Sequence, residues 1–387
     1  MPPVLRIVDV INTAASAREI LLDRVRPLHR PPAIENWIVC SAGDDVDHVR
    51  AAGVPVAVID TPRGLEPIAM ARAAWRLTRF FRDLEPDLVH THSSVPGVLG
   101  RVAARAAGAP LVVHTVHGFH FHQGSSLPSK LYSLATERAL APLTDMLLMQ
   151  NREDLRIVRR WRGVRAHLIG NGIDVQRFAR VARTHAGPGR VVACIARFEA
   201  VKNHHDLLRV FARVHAACPQ ARLRLIGDGP LRPQCERMAA ELGIAAATEF
   251  VGYRKDVAAL LADVDVVVLL SWKEGIPRGL LEPMAAHIPV VAWRVKGNRE
   301  VVRSGESGLL APPGDLDETT AHIVRLLEDP ALRRRLGAAA AERVRTHFNE
   351  SVVVAHLARV YASLLREAGY PLPTSWETHD ERAVLSA

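Results

Sequence analysis

Two carboxylates eight residues apart, Glu274 and Glu282, flank a glycine- and proline-rich turn, Gly275, Ile276, Pro277, Arg278 and Gly279. The turn leads from an apolar strand into a helix expected to start near Leu280. Such a turn offers backbone N–H groups and the positive end of a helix dipole, which suits a phosphate. The carboxylates suit another task, accepting hydrogen bonds from sugar or ribose hydroxyls. The alternative is that Glu282 complements the dipole from the first helical turn while Glu274 is a surface residue. Upstream, Arg197 sits just past a strand and Lys202 lies five residues on, before a helix near Asn203. A guanidinium and an ammonium at one strand-to-helix loop can neutralise a diphosphate and stabilise it as a leaving group. The alternative is an ordinary exposed basic loop. The chain has five lysines against 45 arginines, and four of the five fall between 202 and 296. That window is where chemistry needing a compact ammonium is expected.

A third segment, VVHTVHGFHFH, places His114, His117, His120 and His122 after a strand. It has no H-E-x-x-H pattern and no paired cysteine, so no metal site is expected. The glycine beside His117 lets backbone approach a ligand, and a hydrogen bond from His117 or its carbonyl to a substrate fits better. Asp263 and Asp265 form a D-x-D at the start of an apolar strand and read as structural. GDGPLR, from Gly227, and GYRKDV, with Arg254 and Lys255, are strand-to-helix turns able to line a nucleotide pocket.

The elements that would position these residues follow a βαβ rhythm. Strands are expected at Leu5 to Val10, Trp37 to Ser41, Val56 to Ile59, Leu88 to His90, Leu111 to Thr115 and Met146 to Gln150. Helices fit at Ala17 to Leu28, Ile68 to Leu84, Pro96 to Ala107 and Ser129 to Leu140. After a glycine- and proline-containing break at Arg183 to Arg190, a second series supplies strands at Val191 to Ala196, Arg222 to Gly227, Thr248 to Val251, Val264 to Leu270, Pro289 to Ala292 and Gly308 to Ala311. Its helices fit at Asn203 to Ala217, Pro230 to Leu242, Val257 to Ala262, Leu280 to His287, Asp317 to Leu327, Ala331 to Thr346 and Asn349 to Ala368. The fold class is α/β with two doubly wound, Rossmann-like halves. Ligands of such sheets bind at the carboxyl ends of strands, and a central cleft between the halves is expected.

With 387 residues, 48% of them apolar and 24% charged, the chain can bury the cores of two or three domains. No run approaches the roughly 18 apolar residues of a membrane span. The start lacks the pattern of a secretory signal, and Cys40, Cys194, Cys218 and Cys235 show no CxxC spacing. A cytoplasmic protein is expected. The net charge of +9 is spread evenly: 21 basic and 16 acidic groups in residues 1–170, 29 and 25 in 171–387. Clusters occur only at Arg159, Arg160, Arg162 and Arg165 and at Arg333 to Arg335, both read as solvated helix faces. A nucleic-acid partner is therefore not expected. Peripheral contact with an anionic membrane, through Arg152 to Arg165 or the helix Ile68 to Leu84, is a further expectation.

In this order, the segments THSSVPGVLGRVAARAAGAPLVVHTVHG, IGNGIDVQRF, IARFEAVKNHHDLL, LIGDGPLR, FVGYRKDV and EGIPRGLLEPMAAHIPVVAWRVKGNREVVRSGESGLLAPPGD resemble the family-4 retaining glycosyltransferases of the GT-B fold. The resemblance implies an acceptor-side domain over 1–170 and a nucleotide-sugar domain over 171–350. A helix at 351–370 would cross back to the first domain, and 371–387 would form a tail. It implies that Glu274 contacts donor-sugar hydroxyls and Glu282 the ribose. Arg197 and Lys202 would grip the diphosphate with the amides of Gly275 to Gly279, Gly227 would line the pocket, and Arg254 and Lys255 would lie near the base. His117 would sit beside the transferred sugar.

The implied reaction moves a hexosyl unit, with retention and no required metal or cofactor, from a nucleotide diphosphate sugar, taken as UDP-linked. The acceptor is a hydroxyl of a lipid-linked glycan, exopolysaccharide precursor or small metabolite. Acceptor contacts would come from Asn12, Thr13 and Ala14, in a loop where the family often carries a double glycine. Pro283 stands where alanine is usual and His287 where glycine is. A sugar-nucleotide 2-epimerase of the same architecture is the alternative.

Overall fold

The structure, a computed structural model, describes residues 4–62, 64, 66–119, 121, 125–181, 190–372 and 376. His120, His122 and most of the 371–387 tail lie outside the described residues. Two compact units result. The first takes the chain up to Phe121, Ser125–Asn171 and everything from Glu350 on, and the second takes Gly172–Asn349.

The first unit is built on a seven-stranded parallel sheet. Its strands are β1 (Leu5–Thr13), β2 (Ile34–Ser41), β3 (Val56–Val58), β4 (Leu88–His92), β5 (Leu111–Val116), β6 (Met146–Met149) and β7 (Ala166–Leu168), in the order β3-β2-β1-β4-β5-β6-β7. Helix Pro67–Leu84 shows how one face is covered. Proline sits in its first turn, Ala73, Leu77 and Phe81 point inward four residues apart, and Glu85 ends it in a left-handed conformation at φ 52°. On the other face, helix Glu350–Glu367 buries Val353, Leu357, Tyr361, Leu364 and Leu365 against Leu5, Ile7, Leu88 and Leu111.

The second unit carries a six-stranded parallel sheet of β8 (Val191–Ile195), β9 (Arg222–Ile226), β10 (Thr248–Gly252), β11 (Val266–Leu269), β12 (Val290–Trp293) and β13 (Leu309–Ala311), ordered β10-β9-β8-β11-β12-β13. Its central strands are unbroken apolar runs, VVVL and VVAW, because helices cover both faces.

In each sheet the strand order reverses once, between β1 and β4 and between β8 and β11. A crevice opens where neighbouring connections leave in opposite directions, so these are the places to seek a ligand site.

Several sequence expectations need correction. β1 runs to Thr13 through a register irregularity after Val10, so Asn12 and Thr13 end a strand and Ala14 opens a short helix. β7 was not expected; three half-buried residues, AHL, give no periodicity to read. The helix expected from Leu280 begins at Arg278, so Glu282 lies beyond its first turn and cannot serve simply as a dipole complement. Arg333 is not on a solvated face. It is buried, and its Nη1 donates to the carbonyls of Leu326 and Leu327 at the end of helix Leu316–Glu328.

Candidate active site

In the second unit Arg197, Lys202 and Glu274 lie at the switch point, whereas Arg254 and Lys255 follow the edge strand β10. Arg197 and Lys202 lie in the loop leaving β8, and Glu274 in the loop leaving β11. Lys202 Nζ donates to Glu274 Oε1 at 2.7 Å, and Glu274 is 9% exposed. Arg197 stays largely exposed and pairs with Glu199 at 3.1 Å, leaving its guanidinium able to exchange partners with an arriving anion.

Two close approaches bring the loops together. A Cβ on Gly279 would stand 2.4 Å from the Ile195 carbonyl oxygen, which seats the start of helix Arg278–Ala285 directly on the end of β8. A Cβ on Gly227, at φ 145°, would stand 2.1 Å from the Ala196 oxygen, so the β9 loop also crosses tightly beside Arg197. Gly275, Ile276 and Pro277 form the turn between Glu274 and that helix. Leu280 and Leu281 make its first backbone bonds, to the Pro277 carbonyl, and the amides ahead of them belong to the turn. Arg278 Nε donates to Glu282 Oε1 at 3.3 Å. Arg254 is exposed and forms a two-point bond with Asp256 at 2.9 and 2.8 Å, while the Lys255 carbonyl accepts from Arg177.

Two further lysines belong to this cluster and were not singled out beyond their scarcity. Lys273 adjoins Glu274, and its ammonium pKa is lowered by burial and then by the charges of Lys296 and Lys202, against Glu274. Lys296 opens helix Lys296–Val301, whose Gly297 packs onto the Gly275 carbonyl. Three of the five lysines thus lie in this region of the second unit, and Lys202 is the one bonded to the Glu274 carboxylate. Asp263 and Asp265 serve the framework instead. Asp263 binds Arg224 at two points, and Asp265 Oδ2 accepts from the amides of Arg190 and Val191.

The first unit holds a second polar cluster at its own switch point. Asp9 on β1, His90 and His92 on β4, and His117 and Gln150 just past β5 and β6 form a connected layer. His92 Nε2 is 2.9 Å from Asp9 Oδ1, His92 Nδ1 is 3.3 Å from His117 Nε2, and Gln150 Nε2 is 2.9 Å from His117 Nδ1. His90 shares hydrogen bonds with the Tyr361 hydroxyl at 2.6 Å and with Thr115 at 2.7 Å.

Burial pushes the Asp9 carboxyl up, but hydrogen bonds and charge from His90 and His92 outweigh it and hold it at about 2. Burial, with the charge of His90, lowers His92 to about 3. His117 is held well below the usual imidazole range by burial, His92 and Arg24. Arg24 is itself buried, donating to Glu350 at 2.8 Å and to Asn171 at 3.0 Å. One ligand-type atom each from Asp9, His90 and His92 lies within 4.8 Å of the others, a spacing a metal ion could use. The hydrogen bonds just given already engage these side chains.

His114 does not join His117; it bonds Thr91 at 2.8 Å, on the β4 residue whose side chain alternates away from His90 and His92. Both ring nitrogens of His117 are engaged, so the expected ring hydrogen bond to a substrate has to replace one of them. Thr13 Oγ1 caps the following turn by accepting from Ser16 N–H, Asn12 Oδ1 accepts from the Thr13 amide, and Ala14 is buried. The sequence reading passed over Asp9, His92 and Gln150. Asp9 is the one polar residue of the apolar run IVDVI, His92 ends the mixed strand LVHTH, and Gln150 follows the apolar β6.

Parallel sheets with polar clusters at their switch points define a class, and comparison with known proteins identifies it. Residues 175–343 match the model for glycosyl transferases group 1, and residues 33–172 that for the glycosyl transferase 4-like domain. The chain belongs to the group 1 glycosyltransferases, with the GT-B fold. It is 30% identical to EpsD of Bacillus subtilis (strain 168) over 305 residues, 75% of this chain and 80% of EpsD. It is 28% identical over 301 residues to the UDP-Gal:alpha-D-GlcNAc-diphosphoundecaprenol alpha-1,3-galactosyltransferase of Escherichia coli, covering 74% of this chain and 77% of that enzyme. Among solved structures, HepE of Anabaena in complex with UDP and glucose superposes with a TM-score of 0.78 at 20% identity, over 93% of this chain and all of HepE.

Proposed function

We propose that the chain transfers a hexosyl unit from a UDP-linked sugar to an acceptor hydroxyl, with retention of anomeric configuration and without a required metal. The observation that carries this reading is the meeting of Arg197, Lys202, Glu274 and the Gly275–Gly279 turn at one switch point. Cationic groups there can take up the charge that grows on a departing diphosphate, as transition-state stabilisation requires. Lys202, Lys273 and Lys296 supply that positive charge from the protein itself.

Glu274 accepts from hydroxyls of the sugar and Glu282 from the ribose, while Arg254 and Lys255 serve the base. When the diphosphate arrives, Lys202 turns from Glu274 toward it and frees a carboxylate oxygen for the sugar. His117 contacts the transferred sugar, and Asn12, Thr13 and Ala14 contribute to acceptor binding. The UDP assignment draws support from the E. coli relative, which is named for UDP-Gal, and from the UDP complexes of HepE. That relative's name also favours a lipid-linked glycan as acceptor over a small metabolite. The epimerase alternative gains nothing from these relatives and is set aside.

Among the described residues no helix is long and apolar enough to cross a membrane. Peripheral contact fits the outer face of helix Pro67–Leu84, where Ile68 and Trp75 are exposed beside Arg72, Arg76 and Arg79. The reading places the enzyme in the cytoplasm, against a membrane that carries its acceptor.

The test is release of UDP from a panel of UDP-sugars in the presence of polyprenyl-diphosphate glycan acceptors, with and without EDTA, and assignment of the product anomer by NMR. Turnover that persists in EDTA, gives the donor's anomer and falls at least a hundredfold in Glu274→Ala and Lys202→Ala variants supports the proposal. Unchanged turnover in those variants refutes it.

A further inference from the structure

The imidazole chain of the first unit has only one consistent arrangement of protons, and it can be worked out from the carboxylate end. Ionised Asp9 can only accept, so His92, 2.9 Å away through Nε2, carries its proton there. Neutral His92 then has a bare Nδ1, which must accept from His117 Nε2 at 3.3 Å. Neutral His117 is left with a bare Nδ1, and Gln150 must turn its amide nitrogen toward it, at 2.9 Å. The direction Gln150 to His117 to His92 to Asp9 follows without choosing the orientation of the Gln150 amide in advance. The chain requires both imidazoles to be neutral, which the lowered pKa of each favours.

We propose that Asp9, His92 and Gln150 are positioning residues that lock His117 in the Nε2–H tautomer and present that N–H as the donor given up to substrate. The 3.3 Å contact is the longest of the three, so it is the one a hydroxyl can displace most easily. His117 also keeps part of its surface exposed, whereas Asp9, His92 and Gln150 are buried at 2%, 0% and 4%. A hydroxyl that accepts from His117 leaves behind only a neutral imidazole nitrogen, a smaller loss than an unpaired charge. Second-layer partners that fix a tautomer in this way tune how well a histidine donates. The catalytic half of the inference rests on the reading of His117 as a sugar contact, whereas the tautomer does not.

The experiment is long-range 1H–15N NMR on the full chain with 15N-labelled histidine, free of ligand, at pH 7.5. His117→Gln and His92→Gln variants assign the two rings. A protonated Nε2 and a bare Nδ1 on both rings is the expected result, and an Nδ1–H tautomer on His117 overturns the proposal whatever the activity. The Gln150→Glu variant supplies the second arm, since a carboxylate can only accept and should draw the His117 proton to Nδ1, breaking the bond to His92. The His117 nitrogen shifts should exchange places, and kcat/KM for transfer should fall at least tenfold. Gln150→Met, which imposes no tautomer, should fall less. Shifts that do not move in Gln150→Glu overturn the relay. Moved shifts with kcat/KM within twofold overturn the catalytic half and, with it, the sugar role of His117, while leaving the donor cluster of the second unit untouched.

Discussion

Removing the cation from the Lys202–Glu274 pair should destabilise the second unit by an amount its geometry bounds. The charged atoms are 2.7 Å apart, and the side chains are 24% and 8% exposed. At an effective dielectric constant of about 20, unit charges at that distance attract by about 6 kcal/mol. Desolvation of the two groups offsets most of this, leaving a net coupling of about 1–2 kcal/mol. Lys202→Met keeps the apolar stem but strands a buried carboxylate, at a cost of about 2–3 kcal/mol. Glu274→Gln keeps the shape and should cost about 1–2 kcal/mol. The double variant should therefore lose less than the two single losses together, by about 1–2 kcal/mol. Because the chain has two units, a single unfolding free energy is the wrong measure. Native-state hydrogen exchange at the amides of Val266–Leu269 reports the second unit alone. Losses that add to within about 0.3 kcal/mol would show that the two charges do not depend on each other, and the coupling inferred for the pair would fall.

Gly227→Ala should cost about 3 kcal/mol in the same assay, because the new methyl would meet the Ala196 oxygen at 2.1 Å at an unfavourable φ. His287→Gly should stabilise by about 0.5–1 kcal/mol. His287 is exposed and sits at φ 60° just past helix Arg278–Ala285, where glycine escapes the steric penalty, and a drop in thermal midpoint would refute this.

The fourth expectation concerns acid. His167 and His356 face each other at 2.6 Å between their Nε2 atoms. Burial lowers both pKa values, with the charges of Arg159 and Arg359 acting on His167 and those of His167 and Arg359 on His356, which falls to about 4. The unfolded chain binds protons there at higher pH than the folded one, so stability is full above about pH 6.5 and is lost as the pH falls toward 4. His356→Gln should flatten that loss by about 1–2 kcal/mol, discounted for partial exposure, and parallel profiles would sink the explanation.

The alternation of apolar runs with amphipathic stretches made the βαβ order of both units legible, because buried parallel strands leave long hydrophobic signatures. The candidate site of the second unit was legible as residue types in strand-to-helix loops, since glycine, proline and isolated charges are conspicuous there. What was not legible is pairing. Nothing in the spacing says that Lys202 meets Glu274 rather than a solvent ion, or that Lys296 lies near them from 22 residues beyond Glu274. The Asp9, His92 and Gln150 chain was hidden for another reason. Asp9 lies on β1, His92 on β4 and Gln150 just past β6, and only the strand order brings them into line. The meaning of His287 needed a backbone angle, which composition cannot supply.

The helix Glu350–Glu367 reaches the first unit only after the whole of the second has been made. Its residues Val353, Leu357, Tyr361 and Leu365 close a core begun by Leu5 and Ile7, and Tyr361 is also the partner of His90. During synthesis the earlier unit must therefore leave the ribosome with an apolar face uncovered, while the later one, uninterrupted from Gly172 to Asn349, can mature ahead of it. A nascent chain stalled near residue 349 should carry a finished second unit joined to a first unit that chaperones still recognise.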